Sequence, residues 1–235
     1  MTPDVGVKLP RWSDPEGEPR LPPGLTLRLC RLDNDGSIGL AEAAACLSAD
    51  EAERAAGFRF IRDRERFIRA RGFLRRELGA ALGCLPAEVP LRVTPQGKPV
   101  LAEPSAPGFN LSHSAGLAAL ALNDAGPVGI DLEALELGRG CASLIDSCLT
   151  EAEARALQAL PPEAREAGFL ACWTAKEAAV KLTGTGWAVA PRSVELRLAG
   201  GRPVEVLTPP ARLRAIHLPG YLCHVALPPF AQGRR

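Results

Sequence analysis

Several large classes of protein are ruled out by what this chain does not contain. Among its 235 residues no apolar run reaches the length of about 20 that a membrane-spanning helix needs. The opening segment, MTPDVGVKLPRWSDPEGEPRLPPG, has no apolar core of the kind found in secretory signals. Neither G-x-x-x-x-G-K-[ST] nor G-x-G-x-x-G occurs, which argues against a P-loop kinase or a dinucleotide cradle. The seven cysteines are odd in number, include no CxxC pair and fall mostly inside apolar runs. They read as buried free thiols in a reducing compartment rather than as disulfides or zinc ligands. A formal net charge of +1 gives no general attraction to nucleic acid or to an anionic membrane. A cytoplasmic protein with neither of those partners is expected.

What is present is an ordinary globular composition, 46% hydrophobic and 23% charged, on a chain long enough for one large domain or two small ones. Charge is unevenly placed: nine arginines lie between Arg54 and Arg76. Such a cluster is usually a solvated helix face, but it also suits a small, strongly anionic ligand. Residues 1–24, rich in Pro, Gly and charge, predict an extended or disordered arm. Beyond it, LTLRLCRL, VPLRV, FNLSHS and PVGIDLEAL read as strands, and AGLAALAL is ambiguous. A helix over Asp63–Leu82 places Phe67, Ala70, Leu74, Leu78 and Ala81 on one stripe.

LSADEAERA at 47–55 and LTEAEARA at 149–156 each open with a capping box, Ser48 with Glu51 and Thr150 with Glu153. Two alanine-rich capped helices can be alike by chance. Read as a repeat, they predict an α+β fold made by pseudo-two-fold duplication: an N-terminal half-domain over 25–124, a C-terminal one over 125–235, and a ligand site in the cleft between them.

In PVGIDLEAL, Asp131 and Glu133 share one face of the strand, roughly 6.5 Å apart along it. At that spacing two carboxylates can reach one hard cation, although a solvated strand would show the same alternation. In FLACWTAKEAAVKLTG, Glu177 and Lys181 are i, i+4 neighbours with Trp173 one turn earlier. A surface ion pair is the plain explanation. A third carboxylate for Mg²⁺, with an ammonium beside it for phosphate, is the functional one.

The order QGKP, FNLSHS, VGIDLE, WTAKEAAVK, spanning Gln96 to Lys181, resembles the surfactin-type 4′-phosphopantetheinyl transferases. The resemblance implies a monomer of two similar halves that binds coenzyme A and Mg²⁺ between them. It implies transfer of the phosphopantetheine arm to a serine of an apo acyl or peptidyl carrier protein, with release of adenosine 3′,5′-bisphosphate. By motif, Asp131, Glu133 and Glu177 are the expected metal ligands. Lys181 is the expected pyrophosphate contact, and Lys98, Ser112 and His113 the contacts to the nucleotide end. Lys176 belongs to the same motif and is grouped with the coenzyme A contacts, as are Arg54, Arg66 and Arg71 of the first half. Glu177 is the expected base for the carrier serine, directly or through water. The arm before Leu25 falls outside the family pattern, and Phe67 stands where some members place a polar residue beside adenine.

Overall fold

The computed structural model describes residues 21–33, 37–103, 106–135, 142–186 and 190–229. Residues 1–20 of the expected arm lie outside them. Strand β1 (Leu25–Arg31) leads to three helices, α1 (Leu40–Ala45), α2 (Ala49–Ala56) and the long α3 (Ile61–Leu82). A 3₁₀ turn at Pro86–Glu88 follows, then β2 (Leu91–Val93), β3 (Pro99–Leu101), β4 (Gly108–Ser114) and β5 (Leu117–Asn123). The same order of elements then returns. It runs through β6 (Gly129–Ala134), α4 (Ala142–Cys148), α5 (Glu151–Gln158), α6 (Pro162–Thr183), a 3₁₀ turn at Pro191–Ser193, and β7 (Glu195–Ala199), β8 (Arg202–Thr208), β9 (Arg212–Leu218) and β10 (Tyr221–Leu227). The fold is α+β.

Both capping boxes form. Ser48 Oγ accepts from Glu51 N while Glu51 Oε2 accepts from Ser48 N, and Thr150 and Glu153 repeat the exchange. Each capping glutamate has a second task. Glu51 takes the guanidinium of Arg75 at 2.5 Å, and Glu153 takes the ammonium of Lys176 at 2.8 Å. Arg75 also donates to the carbonyls of Pro86, Ala87 and Val89, while Lys176 donates to those of Pro191 and Val194. Each long helix is thereby pinned both to the cap before it and to the 3₁₀ turn after it. Prolines in its first positions let α6 begin at Pro162, earlier than the Phe169 start of the apolar stretch suggests.

The strands form two three-stranded antiparallel sheets, β1-β5-β4 and β6-β10-β9, with β2–β3 and β7–β8 as separate hairpins. AGLAALAL is the central strand of the first sheet. Burial on both of its faces removes the alternation by which a strand is usually recognised. Leu120 and Leu122 enter a cluster with Phe73, Leu74 and Leu78 of α3, whereas Ala119 and Ala121 face the other way. On β6 the faces divide as expected: Val128, Ile130 and Leu132 join the two alanines in a core between the sheets. The layers are therefore α3, first sheet, second sheet, α6. Apolar area in the central layer supplies roughly 25 cal/mol per Å² removed from water, so this contact holds the two sheets together.

One edge of β6 pairs with β10. The other edge meets β4 without a strand ladder. Asn110 Oδ1, Ser112 Oγ and Ser114 Oγ accept the backbone N–H groups of Ile130, Leu132 and Ala134 at 2.9, 3.2 and 3.1 Å. Alternate side chains of one strand thus satisfy alternate N–H groups of the other, a comb of three teeth across the seam.

Candidate active site

Strand β6 lies hard against α6. A Cβ at Gly129 would come within 2.0 Å of Ala178 O and 2.4 Å of Leu182 N, so only glycine allows the approach. That closeness brings the α6-facing residues of β6, Asp131 and Glu133, to Glu177 and Lys181 in the last turns of the helix. Lys181 Nζ donates to Asp131 Oδ1 at 2.5 Å and to Ser112 Oγ at 3.0 Å. Ser112 donates to the same Asp131 oxygen at 3.0 Å. The other oxygen, Asp131 Oδ2, is buried and has no hydrogen-bond partner. Glu133 accepts from Ser114 Oγ at 2.9 Å and from the Trp173 side chain.

The carboxylates feel one another. Burial first, then repulsion from Asp131, holds Glu177 above the usual carboxylate range, against the pull of Lys181. Glu133 is raised by burial, partly offset by the Ser114 hydrogen bond. One ammonium among three carboxylates leaves the cluster short of positive charge. Among the described residues no group of three or more His, Cys, Asp or Glu side chains is drawn together closely enough to hold a metal ion. The donor set is nonetheless made of hard oxygens, and it includes an orphaned buried one. Mg²⁺ takes that kind of set from one or two carboxylates plus phosphate and water. The residues fit that ion.

Across the seam stands an arc of cations. The solvent-reached ring of His113 is held below its usual range by the protein that displaces its water, then by Lys181, Arg71 and Arg66. Arg66 pairs with Asp33 at 2.8 Å. Arg54 and Arg71 both lie over the ring of Phe67, at 5.2 and 5.9 Å from its centroid. Burial lowers Arg71, and the nearby Glu51 carboxylate opposes that. Lys98, from the turn between β2 and β3, donates to the carbonyl of Lys181 and so ties the first half to the end of α6. Burial pushes its ammonium down.

Of the expected contacts, Lys176 is placed furthest from that role. It is 1% exposed, paired with Glu153 and bonded to two carbonyls, on the core side of α6. The helix is apolar around most of its circumference, so its sequence does not reveal which lysine turns inward. Ser112 is buried against Asp131 and Lys181 rather than open to a nucleotide. Residues not anticipated from the sequence include Ser114 and the buried pair of Thr174 Oγ1 and His224 Nδ1, 2.7 Å apart. His224 lies opposite Asp131 on the neighbouring strand, and burial drives its imidazole down to about 4.

An acidic pocket facing a basic arc can gather a polyanion and a divalent cation at one place, as phosphoryl transfer requires. Comparison with known proteins agrees. Residues 127–226 match the family described as the 4′-phosphopantetheinyl transferase superfamily, and residues 37–124 match 4′-phosphopantetheinyl transferase, N-terminal. The chain is 39% identical over 199 residues to the 4′-phosphopantetheinyl transferase HetI of a Nostoc species, covering 81% of this chain and 84% of the relative. A putative 4′-phosphopantetheinyl transferase of a Synechocystis species is 35% identical, over 60% of this chain and 58% of its own length. A 4′-phosphopantetheinyl transferase of Bacillus subtilis is 29% identical, over 70% and 72%. With its acidic and basic sides on two matched segments, the chain belongs to the 4′-phosphopantetheinyl transferase superfamily.

Proposed function

We propose that the protein is a surfactin-type enzyme that moves the 4′-phosphopantetheine arm of coenzyme A onto a serine of an apo acyl or peptidyl carrier protein. Adenosine 3′,5′-bisphosphate is the leaving product and Mg²⁺ the required ion. The observation that carries this reading is the meeting of Asp131, Glu133, Glu177 and Lys181 at the seam, opposite His113 and the arginines of α3.

Asp131, Glu133 and Glu177 would hold the ion, which when bound offsets charge on the pyrophosphate oxygens. Lys181 is placed to leave Asp131 for a phosphate oxygen, since its side chain is 29% exposed where that of Asp131 is 5% exposed. His113, with Arg66 and Arg71 close enough to act on its charge, would receive the 3′-phosphate and ribose end. Lys98 lies beside Lys181, and the Arg54–Phe67–Arg71 stack offers a face to the adenine. The carrier serine oxygen attacks the β-phosphorus of coenzyme A, the P–O bond to the bridging oxygen breaks, and Glu177 takes the serine proton.

The returning element order supports a duplicated chain with domains over 25–124 and 125–235 and the site in the cleft between them. Both halves of the site come from one chain, which supports a monomer. No described helix is long and apolar enough to cross a membrane, consistent with work in the cytoplasm on a diffusing carrier. The test is direct. The full chain is mixed with coenzyme A, Mg²⁺ and an apo carrier, and the carrier is weighed by mass spectrometry. A gain of one phosphopantetheine that disappears with EDTA is expected. An unmodified carrier across a panel of acyl and peptidyl types would refute the reading.

A further inference from the structure

The two serines that flank His113 sit in the same local arrangement. Ser112 Oγ accepts from the N–H of Leu132 and donates to the carboxylate of the preceding residue, Asp131. Ser114 Oγ accepts from the N–H of Ala134 and donates to the carboxylate of its preceding residue, Glu133. A serine hydroxyl has a single proton. In each case the backbone N–H occupies an acceptor site, which leaves that proton for the carboxylate. The third tooth of the comb, Asn110, accepts from the N–H of Ile130, whose preceding residue, Gly129, has no side chain to hold. Two strands with side chains repeating every two residues therefore clamp two acids with two alcohols.

We infer that Ser114 is a positioning residue: it touches neither substrate nor ion, and it fixes Glu133 in the direction that ion binding needs. This rests on the reading of Glu133 as a metal ligand. Outer hydrogen-bond partners of ligating carboxylates typically change metal affinity by roughly 10–100-fold when removed. Ser114 is half-buried, so its bond to Glu133 is partly shielded from water that would otherwise replace it.

Mn²⁺ is titrated onto the full chain in the presence of coenzyme A and read by electron paramagnetic resonance. The chains compared are unaltered, S114A, S114C, S114T, E133Q and the double variant S114A/E133Q. S114A is expected to weaken Mn²⁺ by about tenfold, and excess metal should restore its transfer rate. S114C, close in size but a weak donor, should follow it, and S114T should keep normal affinity. In the E133Q background S114A should add nothing, because its effect runs through that carboxylate. Unchanged Mn²⁺ affinity in S114A and S114C beside a weakened E133Q overturns the inference, and so do additive losses in the double variant. An E133Q chain that binds Mn²⁺ normally overturns the ligand reading itself, so the two failures are told apart.

Discussion

Lys176 offers a sharp separation of fold from chemistry, because its motif places it in the site and its coordinates place it in the core. Lys176→Met keeps the volume and removes the charge. Glu153 would then keep its bonds from Thr150 N and Leu196 N at 2.8 Å but lose the cation paired with it, inside a pocket where both partners are 1% exposed. Breaking a buried pair from one side costs about 3–5 kcal/mol, since a charge is left uncompensated in a poorly polarisable interior. For a chain of this size each kcal/mol moves the melting point by roughly 2–4 °C, so a fall of roughly 6–20 °C is expected. Removing both charges should be far milder. Lys176→Met with Glu153→Gln keeps a cap acceptor and should recover more than half of the loss. Thermal unfolding followed by circular dichroism measures the stability, and calorimetric titration with coenzyme A measures the site. A single variant as stable as the unaltered chain would refute the reasoning. So would a single variant of normal stability whose coenzyme A affinity had collapsed.

Asp131→Asn keeps the shape of a buried side chain and removes its charge, so it should lower transfer by on the order of a hundredfold or more with the circular dichroism spectrum unchanged. Near-normal turnover would dismiss the carboxylate as a ligand. His113→Ala should weaken coenzyme A more than dephospho-coenzyme A in binding titrations, because the cations around His113 are assigned to the 3′-phosphate; equal losses would remove that assignment. His224 titrates near 6.5 when unfolded and at about 4 when folded, so the unfolded chain binds its proton first as pH falls. The contribution, about 3 kcal/mol, is present above pH 6.5 and is lost on acidification towards pH 4. Urea unfolding of His224→Gln should show a shallower loss across that window than the unaltered chain, and parallel curves would contradict it.

Much of this was open to a reader of the sequence, for physical reasons that differ from place to place. The alternation in VGIDLE separates Ile130 and Leu132 from Asp131 and Glu133 because a strand has a period of two, and both faces landed as that period requires. The long arginine-bearing helix was visible through its apolar stripe, and its observed start at Ile61 differs little. The ambiguous AGLAALAL needed the pairing partners on both sides before strand could win over helix. Lys176 misled because α6 is packed on more than one side, by small residues such as Ala171, Ala175 and Ala178, so no solvent face marks where a lysine belongs. Ser114 left no trace, since its partners are about twenty positions away across the seam and nothing local distinguishes it from any strand serine.

The comb between β4 and β6 makes the two sheets neighbours without making them one. A continuous ladder would have bound the strands through main chain, which most substitutions leave untouched. Here the stitches are side chains, so a single codon change can open one tooth and leave the others closed. The spacing of the two sheets along this seam is therefore a quantity that mutation can adjust in small steps without unmaking either sheet.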